Sequence, residues 1–215
     1  MLTRESAESL PRETASAALS LRLASASPRR ALLLREHGFE HEAVPSPVDD
    51  TDLAPGCSTL TQWTAALAYL KARAALEAMR EEERRRSVVV GADTTVIKAG
   101  RALGKPADER EAARTLRALS GGGHEVATGV CVLAPGRPRI IFADTARVRV
   151  GELPGALIDE YIASGGWRGK AGAYNLSERL AAGWPIEFEG DPGTIMGLPM
   201  RRLEPILRRA MGAGR

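Results

Sequence analysis

The sequence predicts an α/β protein with a mixed sheet. Segments rich in β-branched residues (87–93, 124–133 and 139–150) alternate along the chain with segments of helical apolar period. Gly, Pro and Asp punctuate the joins between them, as turns require. Composition agrees, since 44% hydrophobic and 27% charged residues is the balance of a globular domain with a core. A length of 215 residues suits one domain, or two small lobes sharing a cleft.

Residues 1–20 mix Arg, Glu, Ser and Ala without an apolar period or a secretory apolar segment. They are expected to be a flexible extension to a domain over 21–215. LRLAS (21–25) reads as a short buried strand. Ser27 then suits an N-cap and Pro28 the first helical position. Leu32, Leu33 and Leu34 give that helix an apolar side, and Gly38 suits its stop. Residues 45–58 hold three Pro and three Asp and read as a loop. From 60 to 80, Trp63, Leu67, Leu70 and Ala74 fall on one helical stripe. The run EEERRR (81–86) reads as the solvated end of that helix.

SVVVGAD (87–93) reads as a buried strand ending in an acid. Asp108 suits the cap of a helix over 108–119, with Ala112, Leu116 and Leu119 on one face. Strands at 124–133 and 139–150 join through APGRP, a turn. A helix follows at about 155–164, then Gly-rich chain to 173, and a last helix at 199–210. GDPGTIMGLPM (190–200) reads as a turn and short strand of structural character.

The formal charge of +3 is compatible with an anionic ligand but shared by nucleic-acid binders. With only 4% aromatic residues and no nucleic-acid motif, a nucleic-acid-binding or regulatory protein is the weaker alternative. Of 30 basic residues four are Lys, and Lys71, Lys105 and Lys170 lie in or beside the motifs below. Cys57 and Cys131 offer no disulfide framework, so two thiols in a reducing cytoplasm are expected. No apolar run approaches the roughly 18 residues of a membrane span.

LASASPRR (23–30) delivers small residues from a strand into a helix start. The first amides of a helix lack internal partners and attract phosphate. Ser25 adds a hydroxyl, and Arg29 and Arg30 add guanidinium forks that match phosphate oxygens. The P-loop pattern GxxxxGK[ST] is absent. In GADTT (91–95), Asp93 ends a buried strand, where open α/β sheets bind ligands. There it suits a Mg²⁺ or Mn²⁺ ligand or a group that orients water. GKP (104–106) projects Lys105 from a turn. Lys71 sits one step off its helix's apolar stripe, within reach of a cleft, or else as a surface side chain. Asp49, Asp50 and Asp52 offer a second carboxylate. His124 suits a turn hydrogen bond. His37, His41 and His124 lack zinc spacing with either Cys, and no G-x-S-x-G supports a catalytic triad. Tyr174 in GKAGAYNLSER (169–179) suits either a wall of a base pocket or the core.

The ordered set LASASPRRALLL, LKARA, VVVGADTTV, LGKPADEREAARTLRALSGGGHEVATGV, GKAGAY and GDPGTIMGLPM closely resembles the Maf family of nucleoside triphosphate pyrophosphatases. The resemblance runs from about residue 21 to the C-terminus. It implies a strongly twisted mixed sheet with flanking helices, in two lobes around a deep cleft, as in inosine-triphosphate pyrophosphatases. It also implies hydrolysis of a nucleoside triphosphate to the monophosphate and pyrophosphate, with Mg²⁺ or Mn²⁺ assisting attack of water on the α-phosphate. By motif, Ser25, Arg29, Arg30, Lys71 and Lys105 would bind phosphate. Asp93 would be the catalytic carboxylate, as general base or metal anchor, with Asp50 as a second metal or water ligand. Arg29, Thr94 and Ser177 would bear on base selection.

One departure stands out. The dTTP/UTP branch usually reads GAYxIQ, whereas Ser177 occupies the place of its Gln, and a hydroxyl cannot make the same two-ended amide contact. Modified nucleotides or a 7-methyl-GTP-type substrate are therefore alternatives to dTTP and UTP. The expected partners are a nucleoside triphosphate and, as an assembly, a second copy of the chain. Neither a membrane nor a stable nucleic-acid complex is expected.

Overall fold

The computed structural model describes residues 19–49 and 53–212. Residues 1–18 of the expected extension, and Asp50, lie outside the described residues. The elements run β1 (Ser20–Leu23), α1 (Pro28–Glu36), β2 (Glu42–Ala43), α2 (Leu60–Ala78), α3 (Glu81–Arg84), β3 (Ser87–Lys98), β4 (Arg101–Leu103) and α4 (Glu109–Leu119). They continue with β5 (Gly122–Leu133), β6 (Ile140–Val150), α5 (Gly155–Ala163), a 3₁₀ turn (Ala171–Ala173), α6 (Leu176–Ala181), β7 (Ile186–Glu189), α7 (Pro192–Met196) and α8 (Met200–Ala210). None of the described helices is long and apolar enough to cross a membrane.

Local chemistry sets several of these boundaries. Pro28 opens α1, and Gly38 turns the chain after it at φ +78°. Thr59 and Gln62 form a reciprocal capping box at the start of α2. The Asp108 carboxylate accepts from the Glu111 amide at 2.7 Å and so caps α4.

The mixed α/β architecture follows the sequence expectation. Seven strands form one sheet in the order β2-β1-β3-β5-β6-β7, with β4 also paired to β3. β1 is parallel to β2 and β3, and the remaining pairs are antiparallel. β1 pairs with β3 over Ser87–Val90, and β4 pairs with it over Val96–Lys98. Between them, Gly91–Thr95 is paired on one side, by β5. This interruption opens the sheet edge where Asp93 and Thr94 lie.

The apolar core is divided at the same level. One cluster gathers Val88, Val90, Ala92, Val130, Phe142 and Leu198 around α1 and α8. Another gathers Val96, Leu116, Val126, Val148, Trp167 and Trp184 around α4 and α5. Between them, Thr94, Thr128 and Asp144 stand in register across β3, β5 and β6. Cross-strand partners point to the same face, so a polar row separates two apolar lobes.

On the opposite face α2 lies close against the sheet because glycine faces it. A Cβ on Gly91 would come 2.4 Å from the Ala68 carbonyl oxygen, and one on Gly129 2.3 Å from that of Thr64.

Some elements differ from the sequence expectation. β3 does not stop at Asp93; the fully buried run ends just before it, but antiparallel pairing carries the strand to Lys98. EEERRR is not a continuation of α2. The chain breaks at Met79 and Arg80 and forms the separate one-turn α3. GDPGTIMGLPM holds no strand: Asp191 accepts from the Gly193 amide at 2.8 Å, Pro192 opens α7, and Gly197 ends it at φ +104°. His124 is in a strand rather than a turn, buried in β5 with Nε2 2.8 Å from the Tyr174 hydroxyl.

Candidate active site

A cleft of about 670 Å³ opens at the interrupted edge of β3. Ser25, Arg29, Arg30, Lys71, Asp93, Thr94 and Lys105 all line it. Arg29 and Arg30 from α1, Lys71 from α2 and Lys105 from the β4–α4 connection thus share one space with the Asp93 carboxylate, while Lys170 and Glu178 line its far end.

The turn from β1 into α1 sets the first group. Ser27 holds the N-cap position, but its side chain makes no capping bond. Ser25 braces the turn just before the helix: its Oγ accepts from the Ser27 amide at 3.2 Å and from Arg30 Nη1 at 3.0 Å. With both acceptor sites engaged, the Ser25 hydroxyl proton remains to be donated within the cleft. Arg30 also donates from Nε to the Gly197 carbonyl and from Nη2 to Thr94 Oγ1, each at 3.0 Å. Burial lowers its pKa to about 10, against the opposing pull of Asp93. The side chain therefore stays cationic at neutral pH and fixed in direction. Arg29 is lowered by burial too, while Glu178 and Tyr161 oppose that shift. It faces the other end of the cleft.

Lys71 and Asp93 form an ion pair, Nζ to Oδ1 at 2.6 Å, with both side chains largely buried. The close seating of α2 on Gly91 brings them together. Lys105 is exposed on the cleft wall. Its turn is anchored by a 3.0 Å bond from the Gly172 amide to the Gly104 carbonyl.

The far end is built by Lys170, Tyr174, Asn175, Leu176 and Glu178. Asn175 caps α6, its Oδ1 accepting from the amide and the hydroxyl of Ser177 at 3.0 and 2.9 Å. Asn175 Nδ2 donates to Glu178 Oε1 at 2.9 Å, and Lys170 donates to the other Glu178 oxygen. Ser177 is exposed and does not line the cleft. Asn175 and Glu178 present their polar atoms there instead. Tyr174 is both wall and core: it lines the cleft while its hydroxyl meets His124.

No cluster of three or more His, Cys, Asp or Glu side chains suited to a metal occurs among the described residues. The donor set at Asp93 is one carboxylate with one oxygen bound to Lys71. That does not fit an all-protein cage. It does fit a hard divalent ion held by one carboxylate and mainly by the phosphate oxygens of a ligand.

Sequence reasoning missed Thr128, Asp144, Thr194, Asn175 and Glu178. Asn175 and Glu178 follow Tyr174 in GAYNLSE, where an N-cap followed three residues later by an acid was the available signal. The other three depend on strand register and carried no local signal.

The model of the family described as Maf-like protein matches residues 20–210. A dTTP/UTP pyrophosphatase of Koribacter versatilis is 39% identical, over 89% of this chain and 95% of that one. A second, from Chelativorans sp., is 40% identical over 89% and 91%. Among solved structures, a HAM1 protein from Coxiella burnetii aligns with a TM-score of 0.47 at 17% identity, covering 89% of this chain and all of that one. A match over nearly the whole described chain, together with relatives near 40% identity across more than nine-tenths of their length, places this protein in the Maf family.

Proposed function

We propose that the cleft at the β3 edge hydrolyses a nucleoside triphosphate to the monophosphate and pyrophosphate. The observation that carries this reading is the meeting of Arg29, Arg30, Lys71 and Lys105 with Asp93 in one cleft. Such a charge arrangement suits a polyphosphate beside a single basic group. The relatives named as dTTP/UTP pyrophosphatases support it.

The triphosphate lies along the start of α1. Arg30 and the Ser25 hydroxyl donate to phosphate oxygens, and Lys105 closes over them from its turn. Asp93 accepts a proton from water as the water oxygen bonds to the α-phosphorus. The bond from that phosphorus to the bridging oxygen breaks, and pyrophosphate leaves with the electron pair. Lys71 holds the Asp93 carboxylate in place through Oδ1. A Mg²⁺ or Mn²⁺ ion, held by Asp93 and the substrate's own oxygens, supplies neutralising charge when bound. Positioning and charge stabilisation dominate, as in other phosphoryl transfers.

The base occupies the end built by Tyr174, Asn175 and Glu178. dTTP and UTP are the first candidates, through the named relatives. The proposed place of action is the cytoplasm. A panel of canonical and modified triphosphates, with Mg²⁺ and with Mn²⁺, tests the reading when products are resolved. Monophosphate plus pyrophosphate is expected; diphosphate plus phosphate, or no turnover, would overturn it.

A further inference from the structure

We infer that Thr128 is a positioning residue for Arg30, acting through Thr94, and that α7 is the bracket on which this arrangement hangs. The inference rests on the reading of Arg30 as a phosphate-binding group.

Counting protons fixes the direction of the chain of bonds. Arg30 has no acceptor, so Nη2 donates to Thr94 Oγ1. Thr128 Oγ1 donates to the Thr194 carbonyl at 2.7 Å, which uses its single proton. The 2.9 Å contact between the two threonines must therefore run from Thr94 to Thr128. Each hydroxyl accepts once and donates once, from the guanidinium to the α7 backbone. Reversing the bond between the threonines would leave the Thr128 oxygen facing the Thr194 carbonyl with no proton between them.

Arg30 reaches α7 by a second route, since its Nε donates to the Gly197 carbonyl. Gly197 ends α7 at φ +104°, and a Cβ there would stand 3.1 Å from Arg30 Nε and 3.2 Å from Thr94 Oγ1. α7 is itself pinned to the sheet. The Thr194 hydroxyl donates to Asp144, and Thr128 holds the Thr194 carbonyl. Thr128 and Thr194 are fully buried, so water does not replace a lost partner cheaply. The polar row that divides the two apolar clusters thus fixes the direction of one cleft arginine.

The test compares Thr128→Val, which keeps shape and removes the hydroxyl, with Thr128→Ser, which keeps the hydroxyl. Two readouts are needed. The first is hydrogen exchange of the Arg30 Nε–H by NMR, assigned by its loss in Arg30→Lys, and it requires no activity. Exchange should quicken about tenfold in Thr128→Val and change less than about twofold in Thr128→Ser. The second is kcat/KM for dTTP. It should fall about tenfold in Thr128→Val, yet by less than about twofold when that change is added to Arg30→Lys.

Unchanged Arg30 exchange in Thr128→Val, or kinetic losses that multiply, would overturn the inference. So would a serine variant as impaired as the valine. If Thr128→Val does not fold, Thr128→Cys, a weak donor in the same place, is read by the same criteria. A wild-type chain that turns over no triphosphate, but whose Arg30 exchange responds to Thr128→Val, would defeat the proposed function and leave the positioning intact.

Discussion

Asp93 stands in the gap between β1 and β4 along one side of β3, where β5 alone pairs the strand, and its chemistry follows from that place. A carboxylate in the fully paired part of the strand would be buried against α2 with no space for a ligand. Here one oxygen is held by Lys71 at 2.6 Å and the side chain lines the cleft. Asp93→Asn keeps shape and hydrogen-bonding capacity but cannot accept the proton of an attacking water. The variant is expected to fold with an unchanged far-UV spectrum and to lose roughly 10²–10⁴-fold in pyrophosphate release. Turnover near wild type would remove Asp93 from its proposed role. Lys105 differs because it is exposed and has no ion-pair partner among the described residues. Lys105→Ala is expected to raise KM several-fold and lower kcat with little change in melting temperature, roughly within 0.5 kcal/mol as surface substitutions usually are. Steady-state kinetics beside a thermal melt would check both parts.

The seating of α2 shows how an element conveys geometry to the site. Its nineteen residues cross β3 and β5 with no side chain between backbone and backbone at Gly91 and Gly129. Gly129→Ala would place a methyl carbon 2.3 Å from the Thr64 carbonyl oxygen and 2.5 Å from the Ala65 amide nitrogen. Neither atom belongs to a side chain that can swing away, so the helix itself must shift. A loss of about 1–3 kcal/mol in a denaturant titration is expected, as for overpacking of a core. Activity should fall further than stability explains, because Lys71 moves with α2. A variant as active and as stable as the parent would show that the helix can be displaced without consequence. This contact also marks what sequence reading could reach. Ser25, Arg29, Arg30, Asp93 and Lys105 were legible because each sits at a local feature: a helix start, a strand or a Gly-Pro turn. Thr128 looked like one β-branched residue among many in its strand. Its partners Thr94, Asp144 and Thr194 are brought to it by register and by α7, which the residues 190–200 disguised as turn and strand. β2, β4 and β7 have two to four residues each, too few to show a period.

The molecule as a whole is two apolar clusters joined by a polar row on one face of the sheet, with a third cluster under α2 on the other, and its response to acid follows from where the buried polar groups lie. His124 is placed inside the cluster around α4 and α5, 5% exposed, with Nε2 on the Tyr174 hydroxyl and Nδ1 without a partner. Burial, with Lys98 adding to it, pushes its pKa down from 6.5 to about 4. The folded state therefore holds a neutral ring where the unfolded chain is already taking up a proton. Between those two values the unfolded state binds more protons, so stability rises with pH through this window. The contribution is fully present above pH 6.5 and is lost as pH falls toward 4. A shift of that size corresponds to about 3 kcal/mol. Urea titrations at pH 7, 6, 5 and 4 are expected to show a decline of that order attributable to this side chain. His124→Gln, which keeps a polar group near the Tyr174 hydroxyl but does not titrate, should start less stable at pH 7 and lose less between pH 6.5 and 4. Parallel curves for the two proteins would mean that the ring is solvated or already charged in the folded state, and that acid sensitivity arises elsewhere. Since Tyr174 also lines the cleft, protonation, which makes Nε2 a donor and turns the Tyr174 hydroxyl proton away from the ring, would disturb a residue of the base site. Affinity for nucleotide should then weaken as pH falls through about 4, where the folded ring takes up its proton, in the parent and not in His124→Gln.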